Sequence, residues 1–192
     1  AATRHEYLDG RVYAMSPGAT RRHSLVVGNV FATLRAQIHG RGCEAHAHDL
    51  RVRVGESGPY TYPDLVVACG GALLEDDHGD TLLNPTLIVE VLSESTEAYD
   101  RGATFEQYMR CATLREYLLL AQDRARAEQY VRDGERWILT VAAGLDAALA
   151  LPSIGATLAL RDAYDGVDLS DAPVAPPAPR LVRERESIAG AT

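Results

Sequence analysis

Leu87-Ile88-Val89-Glu90-Val91-Leu92 is apolar at every position but one. A strand with one wet face alternates apolar and polar residues, so a run like this needs cover on both faces. Leu65-Val66-Val67-Ala68-Cys69 is a second run of the same kind. Two such strands require a sheet buried between layers, and they place the carboxylate of Glu90 inside it. Burying an unpaired ion costs on the order of several kcal/mol, a large part of a domain's net stability. Asp64 follows Pro63 and stands at the mouth of the second run. If the two strands are neighbours, both carboxylates converge at one end of the sheet. There they repel each other unless a divalent cation lies between them. Hard oxygen ligands with access to solvent suit magnesium or manganese. The plainer reading of the same residues is that Glu90 pairs with an arginine and Asp64 caps a turn.

The rest of the chain supplies the layers. Residues 5–15 read as two short strands around Asp9-Gly10, a dipeptide that favours tight hairpins. Residues 24–39 repeat Leu25, Val26, Val30, Leu34 and Ile38 at helical spacing, with Ser24 as N-cap and Gly40 as stop. Residues 43–54 alternate as a strand or strand pair. The glycine- and acid-rich stretch 70–84 reads as a surface loop. Residues 99–111 read as a second helix. Residues 115–121, 126–131 and 136–141 read as strands, the last two joined at Asp133-Gly134. After about residue 168 the chain turns rich in Ala and Pro, which sets a domain over 1–168 and a loose tail over 169–192. This order predicts an α/β chain of the mixed α+β kind, with a central mixed β-sheet flanked by helices and an N-terminal β-hairpin.

No apolar run reaches the roughly 18 residues that a membrane helix needs. No basic segment leads an apolar one, as in a secretory signal. A soluble, cytoplasmic protein is expected. Cys43, Cys69 and Cys111 are widely spaced with no Cys-x-x-Cys, so separate buried thiols are expected rather than a disulfide or a zinc site. The net charge of −8 argues against a broad basic surface for nucleic acid. It leaves room for a metal-dependent cleft, which is itself acidic before the cation arrives. All 19 basic residues are arginine.

Several stretches taken together resemble one family. They are His5-Glu6-Tyr7-Leu8-Asp9-Gly10-Arg11-Val12-Tyr13-Ala14-Met15-Ser16, the His23 that opens the first helix, Tyr62-Pro63-Asp64-Leu65-Val66-Val67, and Asn84 to Glu90. Glu90 to Tyr108, Leu114 to Leu120 and the late Leu151 to Val167 continue the series in the right order. The resemblance is to the Uma-type family of restriction-endonuclease-like proteins within the PD-(D/E)XK nuclease superfamily, over about residues 4–167. It implies a restriction-endonuclease-like core. It implies that Asp64 and Glu90, with the backbone carbonyl of Val91, hold magnesium or manganese, and that His23 faces the same site. The activity implied is hydrolysis of phosphodiester bonds in DNA.

The superfamily's third element is a lysine, which in this family lies in an Asp-Arg-Gly-x-Lys-Phe-like stretch. Here that stretch is Asp100-Arg101-Gly102-Ala103-Thr104-Phe105, so Thr104 takes the lysine's place. Leu92 stands where an ordinary Glu-x-Lys motif would put it. Arg101 and Gln107, three residues either side of Thr104, share its helical face and are candidates to take over. The competing expectation is a nuclease-fold protein that binds nucleic acid or a protein partner and cuts slowly or not at all. Arg51 and Arg53 share a strand face and are candidates for phosphate contact, or else a solvated pair. Glu6 is a further acidic candidate, and Asp100 suits an N-cap. His46, His48 and Asp49 do not share one strand face, which disfavours a transition-metal site there. Edge strands in the terminal hairpin offer a route to a homodimer.

Overall fold

The computed structural model describes residues 5–8, 11–14, 19–55, 58–93 and 100–170. In chain order the elements begin with β1 (His5–Leu8), β2 (Arg11–Ala14), α1 (Arg21–Ile38), β3 (Cys43–Ala47), β4 (Arg51–Arg53) and β5 (Tyr60–Thr61). Next come β6 (Leu65–Cys69), β7 (Thr81–Leu82), β8 (Leu87–Leu92), a π-helical turn (Asp100–Thr104) and α2 (Phe105–Met109). The chain continues through β9 (Glu116–Ala121), β10 (Arg126–Asp133), β11 (Arg136–Ala143), β12 (Ala148–Leu151), β13 (Ala156–Ala159) and α3 (Leu160–Ala163).

The central sheet has the order β11-β10-β9-β8-β6-β3. Only β8 and β9 run parallel in it, joined by the crossover that carries the π turn and α2. The two apolar runs are therefore the adjacent strands β6 and β8, which meets the condition for Asp64 and Glu90 to converge. Residues of β8 alternate between two cores: Leu87, Val89 and Val91 enter one, Ile88 and Leu92 the other. The first core is covered by α1, whose Val26, Val27, Val30, Leu34 and Ile38 are buried. Each such side chain contributes roughly 2 kcal/mol of transfer free energy. The second core is closed by Tyr108 of α2 and by Val52 and Leu82. Those two valine and leucine side chains come from β4 and β7 of a second sheet, ordered β2-β1-β5-β4-β7. The β12–β13 hairpin and α3 complete the first core through Leu149, Leu151, Leu158 and Leu160. Glu116, fully buried on β9, ties this hairpin down by accepting from Gln129 Nε2 at 2.7 Å and from the backbone N–H and hydroxyl of Ser153.

Several expectations are corrected. The first helix starts three residues earlier than its apolar pattern, and its N-cap is Thr20, not Ser24, because the Thr20 side chain accepts from the N–H of His23. The stretch 70–84 is not all surface loop: Thr81 and Leu82 are buried as β7, which pairs parallel with β4. Its two residues are too short a run to show a period. The alternating stretch 43–54 splits between the two sheets at His48 and Asp49, both at positive φ. Cys43 and Cys69 are not separate thiols but a disulfide, since β3 and β6 set them directly opposite each other. Cys111 is free and buried. The β12–β13 hairpin and α3 are elements that the sequence reading did not separate. The β1–β2 hairpin forms in the expected register, Leu8 facing Arg11. The side chain of Glu6, Tyr99 and the tail from residue 171 lie outside what is described. Among the described residues no helix is long and apolar enough to cross a membrane.

Candidate active site

β6 and β8 are antiparallel with Leu65 opposite Val89. Continuing that register sets Asp64 opposite Glu90 and Pro63 opposite Val91. Proline has no N–H to give to the ladder, so the next pair of strand hydrogen bonds cannot form there. The carboxylates replace it. Asp64 Oδ2 accepts from the Val91 N–H at 2.8 Å, and the Asp64 N–H donates to Glu90 Oε2 at 3.1 Å. In a strand the N–H and C=O of one residue leave by the same edge. The Val91 carbonyl therefore faces the edge where Asp64 lies, opposite a residue that cannot donate to it.

Two further side chains hold the pair. His23, in the first turn of α1, places Nε2 3.0 Å from Asp64 Oδ2. Its position follows from the cap: Thr20 fixes the His23 N–H and donates its own hydroxyl to Gln122 at 2.6 Å, just beyond β9. Tyr108 of α2 donates to Glu90 Oε1 at 3.1 Å and lies 3.0 Å from the hydroxyl of Thr61. Neither Tyr108 nor Thr61 was among the sequence candidates. The available signal was spacing: Tyr108 follows Thr104 by one helical turn and so shares its face. Burial, and then the charge of Glu90, push the Tyr117 phenol beneath this site well above its ordinary value, so it stays protonated.

The other candidates scatter. Thr104 is buried at 6% exposure, and its Oγ1 has no hydrogen-bond partner among the described residues. Gln107 is buried and accepts from Arg110 at 3.2 Å. Arg101 turns to β10 instead, gripping Glu128 through Nε and Nη2 at 3.0 Å each. Arg51 pairs with Asp80 at 2.9 Å and Arg53 with Glu75 at 2.6 Å, both on β4 of the second sheet. The Asp100 carbonyl accepts from the Tyr117 hydroxyl at 3.2 Å, and Asp100 opens the π turn rather than preceding it.

The donor set fits a hard divalent cation. Asp64 and Glu90 offer carboxylate oxygens on adjacent strands, and the Val91 carbonyl faces the same edge. No group of three or more His, Cys, Asp and Glu side chains spaced for a metal occurs among the described residues. A cation here would keep several waters, as magnesium does in most protein sites.

Comparison with known proteins bears on this geometry. The family model described as "Uma2: Putative restriction endonuclease" matches residues 1–161. Two proteins of Synechocystis sp. (strain ATCC 27184 / PCC 6803 / Kazusa), both named only as uncharacterized, are similar in sequence. The protein slr1290 is 35% identical over 168 residues, 85% of this chain and 85% of its own. The protein sll1609 is 33% identical over 150 residues, 78% of this chain and 84% of its own. In three dimensions the chain is similar to a crystal structure described as a putative nuclease belonging to DUF820 from Anabaena variabilis ATCC 29413. That match has a TM-score of 0.69 at 18% identity and covers 83% of this chain and 89% of that one. At that identity the likeness speaks for the fold.

Proposed function

This chain belongs to the Uma2 family, and on that premise we propose that it is a metal-dependent endonuclease hydrolysing phosphodiester bonds of DNA. The observation that carries the reading is the crossed tie between Asp64 and Glu90 at the broken end of the β6–β8 ladder. It turns two carboxylates that a buried sheet should not tolerate toward one edge. Asp64, Glu90 and the Val91 carbonyl would hold magnesium or manganese. The chemistry such an ion supplies is a water of lowered pKa and a screened phosphate charge. In the reaction a water oxygen bonds to phosphorus, the ester P–O bond breaks, and the leaving oxygen takes up a proton.

The chain's own residues set the stage for that exchange. Tyr108 fixes one oxygen of Glu90, leaving its orientation independent of side-chain rotation. The Val91 N–H and His23 fix Oδ2 of Asp64 from two directions. Outer partners of this kind orient ligands and account for a large share of metal affinity.

A second reading rests on Thr104. A buried hydroxyl, unpartnered among the described residues, stands where the family resemblance puts a lysine, and it brings no charge to a phosphate. The protein would then bind metal and nucleic acid but cut slowly. Nicking of supercoiled plasmid decides between the two. The endonuclease reading expects nicking with magnesium or manganese, none with a chelator, and none from Asp64→Ala or Glu90→Ala. Variants that nick as well as the parent would remove the site assignment.

A further inference from the structure

We infer that the outer edge of β11 is a self-association surface, where a second copy of this chain pairs antiparallel with β11 about a two-fold axis at Thr140. β11 ends the central sheet, and β10 covers one of its two edges. The ladder fixes which backbone groups remain. The Gly144 N–H donates to the Ala125 carbonyl, in the same register that sets Ala142 opposite Ala127. Hydrogen-bonded pairs alternate along an antiparallel ladder. Arg136, Ile138, Thr140 and Ala142 therefore turn their N–H and C=O groups to β10. Trp137, Leu139, Val141 and Ala143 turn theirs outward, and no backbone group among the described residues receives them.

The side chains along this edge are those of a covered strand. Ile138 is 52% exposed on one face of the sheet, and Leu139 and Val141 are 50% and 45% exposed on the other. Open edges are ordinarily guarded by charges, prolines, bulges or short strands. β11 has eight residues in unbroken register with β10, and none from Trp137 to Ala143 is charged or proline. By contrast, β3 at the other end of the sheet has five residues and carries Glu44 and His46. The hairpin edge β2 has four and carries Arg11.

The occupant is a second copy because the strand is complementary to itself. Outward groups must meet outward groups, so odd-numbered residues face odd-numbered ones. The register that uses most of the strand sets Trp137 opposite Ala143 of the second copy and Leu139 opposite Val141 of the second copy. Thr140 then faces its own counterpart, as a two-fold axis requires. Leu139 and Val141 cover each other on one face, Ile138 covers Ala142 on the other, and no charge opposes a charge. Trp137–Ala143 at about 3.4 Å per residue makes a strip roughly 24 Å long. That is small for a specific interface, so dissociation in the micromolar range is expected.

Sedimentation velocity of the full chain, from nanomolar to high micromolar concentration, tests this. The parent should pass from monomer to dimer. Thr140 is exposed in the single chain, so Thr140→Lys and Thr140→Glu leave its packing alone. Each variant sets two like charges against each other at the axis and should weaken the dimer at least tenfold. Mixing the two variants in equal amounts should restore dimerisation, because unlike charges then meet. A parent that stays monomeric throughout overturns the proposal. So do variants that each dimerise as tightly as the parent. Variants that stay monomeric in the mixture as well as alone overturn the pairing about Thr140.

Discussion

Asp64 and Glu90 each finish the other's strand: the Asp64 N–H donates to the Glu90 carboxylate at 3.1 Å, and the Asp64 carboxylate accepts from the N–H after Glu90 at 2.8 Å. This exchange stands where Pro63 interrupts the ladder. It gives each acid a structural task beside the chemical one proposed for it. Alanine variants would therefore loosen the strand ends while removing the proposed ligands. Asp64→Asn and Glu90→Gln keep an acceptor oxygen and separate the two tasks.

Tyr108 should behave as a positioning residue. Tyr108→Phe removes a hydroxyl that lies against both Glu90 and Thr61. The expected outcome is a loss of about 1 kcal/mol in chemical denaturation, with at least a tenfold weaker apparent affinity for manganese. A stability loss with unchanged manganese affinity would reduce Tyr108 to a packing residue.

Thr104 is where the two proposed readings part. Thr104→Lys is expected to raise the nicking rate by roughly 10²-fold, the scale of one electrostatic contact to a transition state. Its control is Thr104→Val, which removes a buried hydroxyl that has no partner among the described residues and should leave stability unchanged or slightly higher. A folded, metal-binding Thr104→Lys that cuts no faster would mean that the charge is supplied elsewhere.

Glu128 gives the fold a pH-dependent contribution with a definite sign. Burial would raise its carboxyl, but hydrogen bonds from Arg101 and Arg126 outweigh that and hold it below the ordinary 4.5. A lowered folded-state pKa stabilises the protein above the unfolded value, and the gain disappears as pH falls through the folded one. The stability difference between the parent and Glu128→Gln should thus be constant near neutrality and shrink below about pH 4.5. Denaturation midpoints measured from pH 7 to pH 3 check this. A difference that grows on acidification would contradict it.

The disulfide between Cys43 and Cys69 closes a sequence separation of 26 residues and joins β3 to β6, the strand that leads from Asp64. Its reduction should cost roughly 3 kcal/mol, seen as a lower melting temperature with a reductant present. Cys43→Ser should melt like the reduced parent and be insensitive to the reductant.

The central strands were legible because burial on both faces leaves no alternation, and Leu65–Cys69 and Leu87–Leu92 show none. That pattern made the pairing of Asp64 with Glu90 conditional on the two strands being neighbours, which they are. The disulfide was not legible, because nothing local to Cys43 or Cys69 fixes the register that opposes them. Tyr108 was missed for a similar reason: its hydroxyl meets Glu90 only after the crossover folds α2 over the sheet. Arg101 was read as sharing a helical face with Thr104, but its contact with Glu128 of β10 crosses elements that no local spacing relates. The hairpin of β12 and β13 carries alternation in Ala148–Leu151 and Ala156–Ala159, but alanine at half the positions dilutes the pattern.

Titration calorimetry with manganese tests the metal pair most directly, using the parent, Asp64→Asn and Glu90→Gln, each shown to melt cooperatively. Binding is predicted in the parent, with both variants weakened at least tenfold, since each loses a charged ligand from one site. Manganese binding of equal strength in all three proteins would contradict the assignment of Asp64 and Glu90 as the metal-holding pair.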